Sequence, residues 1–461
     1  MAAAASLAAL VVASFGGATV HVSASAGVVT AQQKQLAYIA STFEENQPQL
    51  AQPAALHAYE RFARRVVAQA NPPVPKWKLL MLADELAARL HDQHAYVMLP
   101  TSAKTLPVGF YWASDGIVVV PVPHAPRGLT VGDRVVRVGN LTVADLKRRI
   151  ADLLNGNAEL RRFEAGNDLP DGDFLHALGV VAPDGTVKLT LRRASGKEYT
   201  VRPRLLPMRE VRTAATARLS AAFAARYLSL DGLPSTDGRA YAWRVVPRQH
   251  YGVFWLSQCT PSRELNQSIG RFFAQVEADH IQNVVLDVDF NPGGMGTIVN
   301  AFLRYLPMPS AKGYYTLDSF GDTTYLKLPH PATPAVYRGK VYVLTNWGTC
   351  SAAVLFADIL ATNGLATTVG QPTGGNPEAT SNPQSFPVPG GSLTVVSANM
   401  RLLDSALNQT DSPTLRPEVY APVTVEDIQR GVNPLDQWAA SLVGAAPAGS
   451  ATRSKMAAKS K

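Results

Sequence analysis

Over residues 28–98 apolar side chains recur at helical spacing among Ala, Leu, Glu, Arg and Gln, and the run breaks at Asn71-Pro72-Pro73-Val74-Pro75. After that break the spacing of Leu79, Leu80, Leu82, Leu86 and Leu90 predicts a helix over about 76–91. His91-Asp92-Gln93-His94 ends it, and Tyr96-Val97-Met98-Leu99 reads as a strand. The pattern then changes. Short runs rich in Val and Ile at 116–120, 134–138 and 187–191 predict strands, with a helix near 143–154 between them. Residues 206–243, rich in Arg and Ala, read as a connector or an extra helix.

From 244 to 440 strands and helices alternate. Strands are expected at 252–256, 283–288, 341–345, 366–369 and 393–397, and helices near 263–279, 295–305 and 351–363. Ser262 stands where a cap would open the first of these helices. The expected fold class is α/β and multidomain. It has a helical N-terminal segment over 27–104, a small β module over 105–205, the connector, an α/β core over 244–440, and a mobile basic tail over 441–461.

Composition adds four constraints. With 461 residues, 46% hydrophobic and only 17% charged, the chain buries a sizeable core. Residues 2–20 are apolar and uncharged, and Ala24-Ser25-Ala26 offers a small-residue cleavage position before Gly27, so residues 1–26 read as an export signal. No Lys or Arg precedes the apolar stretch, as a complete signal would have. The mature protein is expected in the periplasm or outside the cell. The net charge of +8 lies partly in the tail, and no basic stripe is interleaved with aromatics. That argues against nucleic acid and leaves peripheral attraction to an anionic surface open. Two cysteines, Cys259 and Cys350, make neither a disulfide framework nor a zinc set, and no cofactor motif is visible.

The candidate chemistry lies at two strand ends. Val341–Thr345 runs into Thr349-Cys350-Ser351-Ala352-Ala353, which places Ser351 at a strand-to-helix turn. A serine there is either an exposed nucleophile or a helix cap. Val285-Leu286-Asp287-Val288 runs into Asp289-Phe290-Asn291-Pro292-Gly293-Gly294. Such a glycine pair either satisfies a turn or lets backbone amides approach a developing oxyanion.

Several segments taken together resemble the C-terminal-processing, or tail-specific, serine protease family. These are Leu90–Val97 with its Asp92-Gln93-His94, Val131–Asn140, Val285–Gly294, Val341–Asp358 and Thr368–Gly375. The resemblance spans roughly 75–435 and implies a PDZ-like module at 105–205, an α/β spiral core and hydrolysis of peptide bonds. It implies Ser351 as nucleophile, with the amide of Ala352 and one from Gly293 and Gly294 as oxyanion donors. One branch of the family uses a Ser–Lys dyad. Here the lysines after Ser351 are Lys455, Lys459 and Lys461, all in the tail, and Val354 stands where Glu is common. The chain therefore looks like the Ser–His branch, which resembles the tricorn core and the chlamydial secreted protease. His94 then matches the base, although a packed histidine at a helix–strand junction is the other reading of that residue. For the orienting acid the resemblance points to Glu418, with Glu378 and Asp411 as rivals. The function expected is an exported serine endopeptidase acting on polypeptides. The alternative is an inactive protease-fold protein that binds peptides or apolar ligands.

Overall fold

The computed structural model describes residues 29–232, 238–307, 312–318, 322–328, 337–403 and 413–443. The leader assigned to 1–26, the tail beyond 443 and Asp411 lie outside these residues.

The N-terminal segment forms α1 (Ala31–Asn46), α2 (Pro53–Ala68) and α3 (Lys76–Ala88). Thr30 and Gln33 form a reciprocal capping box that starts α1, and Pro53 opens α2 where a missing N–H costs nothing. Leu36, Ile39 and Phe43 of α1, Tyr59 and Val66 of α2, and Leu82 and Leu86 of α3 share one core cluster. Val97 of β1 (Tyr96–Met98) closes it, together with Leu393 and Val395 from far along the chain. The expected helix over 76–91 stops at Ala88, because the backbone tightens and His91 takes a φ of 53°.

The β module comprises β2 (Lys104–Thr105), β3 (Val108–Ala113), β4 (Gly116–Pro121), β5 (Arg134–Val138), β6 (Leu141–Thr142), α4 (Val143–Ala151), α5 (Ala158–Asp168), α6 (Gly172–Ala177), β7 (Leu189–Arg192), β8 (Glu198–Val201) and β9 (Leu206–Pro207). Its main sheet runs β3-β4-β5-β7-β8, antiparallel throughout. Phe110, Ile117, Val135 and Leu189 of this sheet pack against Leu146 and Ile150 of α4. β7 begins two residues later than the pattern predicts, because Val187 is bridged to Val181 instead.

After α7 (Met208–Val211) and α8 (Ala214–Tyr227), the connector already contributes β10 (Tyr241–Val246) to the core. The core continues with β11 (Tyr251–Leu256), α9 (Arg263–Ala278), β12 (Asn283–Asp287), α10 (Val299–Leu303), β13 (Tyr314–Asp318), β14 (Thr323–Leu326), β15 (Lys340–Thr345), α11 (Ala352–Thr362), β16 (Thr367–Gly370), β17 (Thr380–Pro387), β18 (Thr394–Leu403), β19 (Val419–Tyr420), α12 (Val425–Arg430) and α13 (Pro434–Val443). Its central sheet runs β10-β11-β12-β15-β16-β19 and is parallel from β11 onward. Both faces are covered, which is why these strands read as continuous apolar runs. On one face Phe272 of α9, Phe302 of α10 and Phe356 of α11 pack on Val284 and Val343. On the other, Leu435 and Ala439 of α13 pack on Val253, Val285, Leu344 and Val369. Each of these buried phenylalanines contributes on the order of 2–3 kcal/mol of apolar transfer.

The strand expected at 393–397 does not join this sheet. It is the start of β18, which belongs to a second, antiparallel sheet with β17, β13, β14 and β1. Pairing of Tyr96 with Val396 ties the N-terminal segment to the core. That pairing delivers residues 91–95 to the C-terminal ends of β12 and β15. Among the described residues no helix is long and apolar enough to cross a membrane.

Candidate active site

β15 leaves the sheet at Thr345, and the chain reaches α11 through Asn346–Ser351. Ser351 has φ 52° and ψ −127°, a left-handed conformation that costs a residue with a Cβ about 1–3 kcal/mol. It makes no side-chain capping bond, so the helix-cap reading of this serine fails. The loop that holds it is tightly tied. Asn346 N–H donates to Thr349 Oγ1, Thr349 Oγ1 donates to Val288 O, and Cys350 N–H donates to Asn291 O. Trp347 turns away from the serine into the core of the β module. There it stacks on Tyr111 at 6.0 Å, with the Arg162 guanidinium 4.9 Å from its ring centre.

The glycine loop follows β12 and lies against this elbow. Asn346 Oδ1 joins the two, accepting from Phe290 N–H at 3.0 Å and from Gly348 N–H at 2.9 Å. Asn291 is fully buried; its Nδ2 donates to Leu256 O and its Oδ1 accepts from Gly293 N–H at 2.9 Å. Gly293 has φ 106°, and a Cβ there would stand 2.5 Å from Ser351 Cβ and 3.0 Å from Ala352 N. Gly294 has φ 138° and passes against the Cys259 carbonyl, where a Cβ would collide.

This geometry separates the expected oxyanion donors. Gly293 N–H donates to Asn291 Oδ1, so of the glycine pair it is Gly294 whose N–H is left as the expected donor. Gly293 leaves space beside Ser351. The N–H groups of Gly294 and Ala352 take no hydrogen bond among the described residues.

His94 enters from the turn between α3 and β1. His94 N–H donates to Asp92 Oδ1 at 2.8 Å, and Asn155 Nδ2 donates to the carbonyls of Asp92 and Ala95. Nε2 lies 2.9 Å from Ser351 Oγ, and Nδ1 lies 2.7 Å from the Thr380 carbonyl at the start of β17. A carbonyl only accepts, so Nδ1 carries the hydrogen, Nε2 offers a lone pair and Ser351 O–H donates to it. Burial pushes the imidazole below its usual range, against the opposing pull of the Asp92 carboxylate and the Thr380 carbonyl. The ring is therefore neutral near pH 7, as a base must be.

Two neighbours complete the surroundings. Thr380 Oγ1 donates to Asp92 Oδ1 at 2.7 Å, while Asp92 Oδ2 is buried without a hydrogen-bond partner among the described residues. Gln93 Oε1 accepts weakly from Ser351 N–H at 3.4 Å. It packs where a Cβ on Gly375 would have to go.

Glu418 is not brought to His94. It is exposed just before β19 on the outer edge of the central sheet, and its N–H donates to Thr368 Oγ1. A backbone carbonyl, that of Thr380, occupies the ring nitrogen an orienting acid would take. Glu378 is buried and lines a polar cleft beside the site with His91, Asp92, Gln93 and Arg401. Val354 is wholly buried in the first turn of α11. Cys259 and Cys350 are free thiols. Burial pushes Cys259 up to about 12 and Cys350 upward as well, so neither supplies a thiolate at neutral pH. Among the described residues no cluster of His, Cys, Asp or Glu could hold a metal ion.

The sequence reading passed over Thr380, Asn346 and the clamping part of Asn291. An Asn two residues before a glycine is a legible turn signal. A carbonyl that orients a histidine has no signature in residue identity.

Residues 251–414 match the model of Peptidase family S41. Among solved structures the chain is similar to mature CPAF at 16% identity and a TM-score of 0.64, covering 90% of this chain and 97% of that one. It is also similar to a mutant of CPAF at 16% identity and a TM-score of 0.65, covering 90% and 98%. A third likeness is to mature CPAF complexed with lactacystin, at 16% identity and a TM-score of 0.62, covering 89% and 97%. At such identities these likenesses establish a common fold.

Proposed function

Taking the chain as a serine-type peptidase that carries a family S41 domain, we propose that it is an exported endopeptidase whose acyl-enzyme forms on Ser351 with His94 as general base. One observation carries this reading. The neutral imidazole presents its unprotonated Nε2 to the Ser351 hydroxyl at 2.9 Å.

In the first half-reaction His94 Nε2 takes the Ser351 proton as Oγ attacks a peptide carbonyl. Negative charge gathers on the carbonyl oxygen, against the N–H groups of Gly294 and Ala352. The positive end of α11 adds to that field. When the tetrahedral intermediate collapses, His94 returns its proton to the departing amine, and the acyl group stays on Oγ. Water then attacks with His94 again as base, and Ser351 regains its proton as the carboxylic acid leaves. The strained φ of Ser351 keeps Oγ out of the helix and in line with Nε2. Export rests on the uncharged apolar leader and on Ala24-Ser25-Ala26. An N-terminus at Gly27 in secreted material is the expected finding.

The test is intact-mass analysis after exposure to a fluorophosphonate. One adduct is expected on the matured wild type, none on Ser351→Ala, and labelling slowed at least ~100-fold on His94→Ala. Absence of an adduct on folded, matured wild type overturns the reading.

A further inference from the structure

We propose that Asp92 is a positioning residue that acts on His94 through Thr380 and balances the charge the ring acquires during turnover. The proposal rests on the Ser351–His94 reading and extends it.

A base that takes a proton becomes a cation, and inside a protein that charge needs compensation. A carboxylate touching Nδ1 would supply it, but here Nδ1 meets the neutral carbonyl of Thr380. That carbonyl fixes the tautomer and aims the ring without bringing a countercharge.

Asp92 stands one bond further out. Its Oδ1 accepts from the Thr380 hydroxyl at 2.7 Å and from His94 N–H at 2.8 Å. A single oxygen therefore holds the backbone of the base and the side chain of the residue whose carbonyl orients it. Thr380 is the hinge of this arrangement, because its carbonyl faces the ring and its hydroxyl faces the acid. Asp92 is 7% exposed, and among the described residues Oδ2 has no hydrogen bond to dilute its charge. The cleft beside it also holds His91, Glu378 and Arg401. Of these groups Asp92 is the one whose charge raises the proton affinity of His94. His91 has its Nδ1 against Arg161 at 3.0 Å.

Asn155 fixes the last degree of freedom. It is buried and holds the carbonyls of Asp92 and Ala95 from the β module, so the turn carrying the acid cannot swing away. Acid, hinge and base thus form one continuous chain of hydrogen bonds that ends at the nucleophile.

The experiment measures the fluorophosphonate labelling rate of the matured protein from pH 4.5 to 8.5, for wild type, Asp92→Asn, Thr380→Val and Thr380→Ser. Asp92 favours the protonated ring. Its neutralisation should therefore move the acid limb of the profile to lower pH, by about one unit, while the plateau falls at least ~10-fold. A purely structural role would lower the plateau and leave the limb in place. Thr380→Val breaks the link and keeps the charge, so its plateau should fall with little movement of the limb. Thr380→Ser should recover most of that loss.

A wild type that labels, beside an Asp92→Asn protein that labels with the same acid limb, overturns the proposal. Should Asp92→Asn fail to fold, the Thr380 pair decides, and equal plateaus for Val and Ser overturn it. A wild type that does not label at all fails at Ser351 instead, and removes the premise.

Discussion

Gly293 lies so close to Ser351 that a Cβ on the glycine would stand 2.5 Å from the Cβ of the serine. The φ of 106° at Gly293 makes any side chain there strained as well. Gly293→Ala must therefore push the glycine loop off the elbow. A loss of at least ~100-fold in fluorophosphonate labelling is expected, together with a lower melting temperature. An alanine variant that labels at the wild-type rate would show that the loop yields without cost to the site.

The strain at Ser351 has a stability signature of its own. Glycine accepts φ 52° and alanine does not. Ser351→Gly is expected to be more stable than Ser351→Ala by about 1 kcal/mol, with both inactive. Denaturant unfolding of the two variants side by side checks this.

Asn346 should matter more than a loop asparagine ordinarily does. Asn346→Ala leaves Phe290 N–H and Gly348 N–H without their shared acceptor, in a residue environment only 6% exposed at Asn346. A loss of about 2–4 kcal/mol is expected, and labelling should fall with it. Asn346→Asp keeps an acceptor oxygen and should cost less. Equal losses in the two variants would show that the acceptor is not what matters.

Asp287 and Asp289 predict a pH dependence of stability that differs in kind from that of the active site. Burial pushes both carboxyls upward, and the charge of Asp287 pushes Asp289 further. The folded protein thus holds protons that the unfolded chain releases above its ordinary carboxylate range, near 3.9. This contribution is fully present below that range and is lost as pH rises through the folded values. Asp289→Asn, which cannot ionise, should therefore gain melting temperature over wild type by several degrees more at pH 8 than at pH 5. The same difference at both values would mean that the pair does not titrate on folding.

Much of this architecture is legible in the chain. The stretches 284–286 and 341–344 are apolar at every position because helices cover both faces of their sheet, and such runs announce themselves. The turns after them carry the glycine pair and the serine. What escaped depends on contacts between distant segments. Residues 393–397 look like another core strand, yet they pair with β1 and β17 because Leu393 and Val395 complete the helical cluster instead. Glu418 stands in a plausible acidic motif, but pairing of β19 with β16 carries it to the sheet edge. The partner of His94 is a main-chain atom of Thr380, which any residue type could have supplied. Helices α5 and α6 were also missed, since polar side chains interrupt their apolar spacing.

Trp347 sits four residues before Ser351, in the hydrophobic core of a module that ended more than a hundred residues earlier in the chain. The small β module is therefore not a detachable adapter. A chain lacking it would keep every residue of the catalytic elbow and lose the wall that shapes it, with an indole left in water beside the serine. Melting of the module would strip Trp347 of its packing and loosen the loop that positions Ser351.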